Sequence, residues 1–104
     1  MKITHPNINI SFALDQVNFR LLNIINCHFK KSLPDHSHGS NSYEIHYIYS
    51  GYGKVKINGI FYDLKPGTLY ITGPHIGHAQ IPCSTDPMCE YCVYLEAIHE
   101  KSKR

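Results

Sequence analysis

A chain of 104 residues is one domain's worth, enough to bury a single core. Its 42% hydrophobic and 17% charged residues exclude a disordered chain, and a formal net charge of +2 is too mild to make the domain itself a nucleic-acid binder. No stretch approaches the ~18 apolar residues of a membrane span. The start, Met1-Lys2-Ile3-Thr4-His5-Pro6, lacks the apolar run of an export signal. The expectation is therefore a cytoplasmic protein with reduced thiols at Cys27, Cys83, Cys89 and Cys92.

In chain order, residues 7–14 alternate polar and apolar and predict a strand. Residues 18–29 are mixed and are assigned to a strand over a short helix. Residues 30–42 are rich in Ser, Gly, Pro and Asn and predict a loop. The segment 43–50 (YEIHYIYS) is the clearest strand, followed by a turn at Gly51-Tyr52-Gly53. Within 54–64, Asn58-Gly59 between two β-rich runs predicts a type I′ hairpin, whose two turn positions need positive φ. Lys65-Pro66-Gly67 predicts another turn. Residues 68–72 form the next strand, 73–79 a tight loop, 81–89 an irregular stretch and 90–98 a last strand. Seven or eight short strands with regular turns and little helix predict an all-β sandwich or barrel. The domain is placed at 1–98, with 99–104 a polar tail or the start of a linker.

The chemistry-bearing residues cluster between positions 36 and 78. In an extended segment, His36 and His38 point to one face. On the strand 43–50, Glu44, His46 and Ile48 share one face while Ile45, Tyr47 and Tyr49 share the other. His78 sits in the Pro/Gly loop beyond the hairpin. Three imidazoles and a carboxylate converging inside a barrel would suit a divalent first-row metal, with one or two positions left for water or ligand. His46 is expected to face the core or line a pocket, and His75 to be exposed at a turn. His5, His28 and His99 carry no pattern. Cys89 and Cys92 form a C-x-x-C pair without a second ligand pair at zinc-finger spacing, and are read as structural thiols.

Residues 36–78 resemble the two motifs of the cupin superfamily. The first reads His36-Ser37-His38, GSNSY, Glu44, IHYIYS, Gly51; the second reads Gly67, TLYIT, Gly73-Pro74-His75-Ile76-Gly77-His78. The five-residue gap before Glu44 is longer than the family's usual three or four. Gly73 stands where Pro is common, and His75 where Gly is common. Over residues 30–98 the chain is similar to the N-terminal sensor domain of AraC-type transcription regulators. The resemblance implies a cupin-type double-stranded β-helix (jelly-roll barrel). It implies a domain that binds a small effector, such as a sugar, through His36, His38, Glu44, His46 and His78. It further implies one divalent transition metal (Zn, Ni, Mn or Fe) on His36, His38, Glu44 and His78, with no catalytic residue assigned. A homodimer is expected, and DNA would be contacted only through a C-terminal domain for which 99–104 would begin the linker. The alternative is a free-standing metal-dependent cupin enzyme, a dioxygenase or an isomerase.

Overall fold

The computed structural model describes residues 2–4, 10–36 and 41–98, with side chains over 10–32 and 41–98. The expectations for His5, His38, His99 and the tail 99–104 lie outside the described residues. Among those described, the chain forms ten strands in two antiparallel sheets: β1 (Lys2–Thr4), β2 (Ile10–Leu14), β3 (Val17–His28), β4 (Leu33–His36), β5 (Ser42–Ser50), β6 (Gly53–Ile57), β7 (Ile60–Leu64), β8 (Leu69–Thr72), β9 (His78–Pro82) and β10 (Cys89–Ile98). No helix among them is long and apolar enough to cross a membrane.

The larger sheet runs β1-β3-β10-β5-β8, with β2 also paired to β3. The twelve residues of β3 take β10 along one edge. Its other edge pairs with β2 near its start and β1 near its end. The smaller sheet runs β4-β9-β6-β7. Turn chemistry sets much of this order. Asn58 and Gly59 sit at φ 49° and 84°, the two left-handed positions of a I′ hairpin joining β6 to β7. Asp15 and Gln16, at φ 49° and 67°, make a similar two-residue turn between β2 and β3 without a glycine.

Two predicted irregular stretches are in fact strands. The loop predicted over 30–42 contains β4, and β9 runs through the predicted loop and irregular stretch around 78–82. The physical reason is that β9, HAQIP, does not alternate apolar with polar. His78, Ala79 and Gln80 are all buried, so the period-two signal of a half-solvated strand is missing. β9 hydrogen-bonds to β6 on one side and β4 on the other.

The core between the sheets is Phe29, Ile48, Val55, Leu64 and Met88, flanked by Cys27, Ile57 and Tyr70. It is continuous with the inward face of β5, on which Glu44, His46 and Ile48 are buried while Tyr47 is exposed. One close approach locks this end of the barrel. Gly51 lies at φ 75°, and a Cβ there would run into the Pro87 carbonyl. Tyr52 N–H donates to Asp86 O at 2.8 Å on the same crossing. Gly51→Ala is expected to lose about 1–2 kcal/mol from the left-handed backbone alone, with the steric overlap adding to that loss. A urea midpoint unchanged by this substitution would contradict the packing described.

Between Tyr94 and Leu95 the pairing of β10 with β3 steps by one residue. The unpaired residue is Leu22 on β3, while β10 runs unbroken against β5 through the same point.

Candidate functional site

Four strands carry the polar side chains that meet inside the barrel, and register explains why. On β5, Glu44 and His46 point inward. On β10, Tyr94 stands opposite Glu44 and Cys92 opposite His46. On β8, Thr72 stands opposite Glu44 and Tyr70 opposite His46. From the facing sheet, β9 presents His78 and Gln80. Directly opposite residues of an antiparallel pair share a face, so these groups converge. Glu44, His46, His78, Glu90 and Cys92 are each at most 3% exposed. They line the floor of an open cavity of about 430 Å³, whose walls include Ile25, Cys27, Phe29 and Tyr94 and whose rim carries His28, Lys30 and Lys31.

The floor is a hydrogen-bonded charge network centred on His46. Its Nδ1 donates to both carboxylate oxygens of Glu90 at 3.2 Å. Its Nε2 donates to Thr72 Oγ1 at 3.3 Å and lies 3.6 Å from Glu44 Oε1. Thr72 Oγ1 passes the interaction on, donating to Glu44 Oε1 at 3.2 Å. Gln80 Nε2 donates to Glu90 Oε1 at 3.2 Å and to Tyr70 OH at 2.6 Å. The Tyr70 ring stacks on His46 at 4.3 Å between centroids and 5° between planes. The Cys92 thiol donates to Glu44 Oε2 at 3.7 Å.

Burial alone would push His46 down, because it disfavours the imidazolium. Hydrogen bonds with Cys92, Glu44 and Glu90 outweigh it, and His46 is pushed up to about 11. Burial alone would likewise push the Glu44 carboxyl up. Hydrogen bonds from His46 and His78, with the charge on His46, instead hold it well below the usual carboxylate range. The result is a buried imidazolium between two carboxylates. Burial pushes the Cys92 thiol and the Tyr70 and Tyr94 phenols up, so these three stay neutral.

Of the residues expected to bind ligand or metal, the structure brings Glu44, His46 and His78 together. Glu44 Oε1 lies 3.3 Å from His78 Nε2. The register of β4 on β9 places the His36 backbone opposite His78; the His36 side chain and all of His38 lie outside the described residues. His75, at φ 60°, is exposed on the turn before β9, as its sequence context predicts. One donor atom from each of Glu44, His46 and His78 falls within a 4.8 Å cluster, and the same holds for His46, Glu90 and Cys92. Donors around a tetrahedral ion at about 2.0–2.1 Å stand roughly 3.4 Å apart, close to the 3.3 and 3.6 Å separations around Glu44. The residues present therefore fit a divalent ion, once His46 gives up its extra proton.

Sequence reasoning did not find Glu90, Thr72, Gln80, Tyr70 or Tyr94 as part of this site, and it read Cys92 as structural. The one available signal was parity. Glu90 and Cys92 share a face of the last strand, and an acidic residue on the buried side of a strand asks for a partner.

The family model described as "AraC-like ligand binding domain" matches residues 21–99. No curated protein matches the sequence. Among solved structures, the chain is similar to a cupin protein from Bacteroides fragilis (21% identity, 90% of this chain and 80% of that one, TM-score 0.61). It is also similar to a protein with a double-stranded β-helix domain from Klebsiella pneumoniae (17% identity, 89% and 84%, TM-score 0.59). A third is described as a predicted oxalate decarboxylase from Thermotoga maritima (16% identity, 93% and 92%, TM-score 0.57). At these identities the structural likeness establishes the fold, an all-β double-stranded β-helix of the cupin type.

Proposed function

Because the chain belongs to the AraC-like ligand-binding domain family, with residues 21–99 matched, we propose that it is the effector-sensing domain of an AraC-type transcription regulator. The observation that carries this reading is the floor of the open cavity. Glu44, His46, His78, Gln80 and Glu90 are buried at the base of about 430 Å³ of space with partly apolar walls. Such a site suits a small polar molecule, a sugar among them: apolar walls supply contact area, and a few placed donors and acceptors fix orientation. An effector that binds one arrangement of the domain better than another shifts the population of arrangements, which is how a sensor controls an attached DNA-binding unit. DNA is contacted through a separate C-terminal domain, for which residues 99–104 begin the linker. Coding sequence for a helix-turn-helix pair after residue 104 is expected, and a stop codon there would overturn the regulator assignment.

The direct test is thermal melting of the purified domain against a panel of sugars, polyols and hydroxy acids. A ligand at a hundred times its Kd stabilises by about 2.7 kcal/mol. For a domain of this size that raises the melting temperature by roughly 10 °C or more. A panel at saturating concentration in which no member moves the melt would remove the main support for sensing.

The outer face of the larger sheet supports a homodimer. Leu69, Ile71, Tyr47 and Tyr91 are exposed there on three adjacent strands, with Tyr47 registered against both Leu69 and Tyr91. A strictly monomeric species in light scattering at high concentration would contradict this.

A second reading, a metal-dependent cupin enzyme, is favoured by the Glu44, His46 and His78 cluster. These residues would hold the ion, which would act as a Lewis acid toward a bound oxygen ligand. Thr72 and Glu90 would orient His46, and the apolar walls would exclude water.

A further inference from the structure

We propose that the cavity floor holds a thiophilic transition-metal ion through His46, Glu90 and the thiolate of Cys92. The assignment goes beyond the sensor reading, since the ion would take His46, Glu90 and Cys92 and leave Glu44, His78 and Gln80 to an effector. Three observations carry it.

First, the donors are assembled. One atom from each of the three residues lies within a 4.8 Å cluster, all three residues are at most 3% exposed, and His46 Nδ1 already faces Glu90 at 3.2 Å. Second, strand geometry separates the cysteines by role. Cys92 stands opposite His46 on the inner face, whereas Cys89, three residues away on an extended strand, stands opposite the exposed His28 on the outer face. The C-x-x-C spacing is therefore not a chelate, and Cys92 works with residues from another strand. Third, a second thiol, Cys27, lines the same cavity on β3, directly opposite Glu90. A pocket wall with one buried and one half-buried thiol beside an imidazole and two carboxylates is a mixed sulfur, nitrogen and oxygen donor set.

That donor chemistry selects the ion. Imidazole and carboxylate alone accept most divalent first-row metals, whereas a thiolate shifts preference to zinc(II) and copper(I) and away from manganese and magnesium. Binding sends the His46 imidazolium proton and the Cys92 thiol proton to solvent. A divalent ion then replaces those two positive charges, so the net charge of the buried floor is unchanged.

Titration of the purified, reduced domain with cobalt(II) chloride tests the assignment. The expected result is about one equivalent bound, with a thiolate-to-cobalt charge-transfer band in the near ultraviolet that equimolar zinc(II) removes. The band survives Cys27→Ser and is lost in Cys92→Ser, and Glu90→Gln weakens binding by about tenfold or more. Cobalt taken up with d–d bands alone would overturn the proposal. So would a band removed by Cys27→Ser and kept in Cys92→Ser, or no uptake by protein whose circular dichroism shows the β fold. The band is read first in the unsubstituted protein, so the test holds whether or not Cys92→Ser folds. Melting of metal-free protein against the organic panel is a separate readout, and a failure here leaves the sensor reading standing.

Discussion

His46→Ala is expected to lower the unfolding free energy by about 3–5 kcal/mol, the loss that follows when one partner of a buried ion pair is removed. The size comes from what is left behind. Glu44 and Glu90 flank His46 from two strands, and both are 3% exposed. Without the imidazolium, two carboxylates face one another in a water-poor floor, and at least one must take up a proton or draw in solvent. Stacking against Tyr70 is lost as well. The prediction has an internal check. His46→Gln with Glu90→Gln removes one charge of each sign, and is expected to recover much of the stability lost in His46→Gln alone. Urea unfolding of the set measures this. A His46→Ala protein within about 1 kcal/mol of the parent, or a double variant no better than the single, would mean that His46 carries no charge in the folded protein.

Stability is also expected to depend on pH in a definite direction. His46 rises from its ordinary 6.5 to about 11 on folding. Its contribution is therefore complete below pH 6.5 and is lost as the pH rises through 11. Glu44 moves the other way, held below its ordinary 4.5, so its contribution is complete above pH 4.5 and is lost as the pH falls. The two together place a plateau between about pH 4.5 and 6.5, with decline on either side. Over the alkaline limb, one proton retained by the folded state and not by the unfolded chain corresponds to roughly 1 kcal/mol per pH unit. Urea midpoints at about pH 5.5, 7 and 9 are expected to fall in that order. The tyrosines stay neutral throughout this interval because burial pushes Tyr70 and Tyr94 up. In His46→Gln the alkaline limb flattens. Equal midpoints at the two higher pH values in the parent would exclude a protonated His46.

Local signals made much of the barrel legible. The alternation of residues 43–50 places Glu44 and His46 inward, and the structure buries both. Asn58-Gly59 turns where its chemistry requires. The Asp15-Gln16 turn lacked that signature, because neither residue is a glycine. β9 was illegible for a related reason: its buried residues include His78 and Gln80, whose polarity reads as solvent exposure until their partners are known. The same blindness hid half of the floor. Glu90 meets His46 across 44 residues of sequence, and Thr72 meets Glu44 across 28. Such pairings are set by which strands lie side by side, and no spacing rule within one strand contains that information. Where a familiar motif supplied the long-range knowledge, as for Glu44 and His78, the sequence was enough to name them together.

The extra residue of β3 reaches further than local irregularity. A uniform strand can slide along its neighbours by two residues and still keep its apolar side inside. β3 and β10 cannot, because Leu22 is the unpaired residue of β3 between the pairs Asn23–Tyr94 and Leu21–Leu95. Sliding by one residue would turn Cys92 outward. Sliding by two would carry the unpaired residue away from the point where Tyr94 ends one run of pairs and Leu95 begins the next. The register of β10 on β3 is thereby pinned, like a key with a single notch. With it is pinned the placement of Cys92 opposite His46 and of Glu90 opposite Ile48, by a residue that touches none of the chemistry.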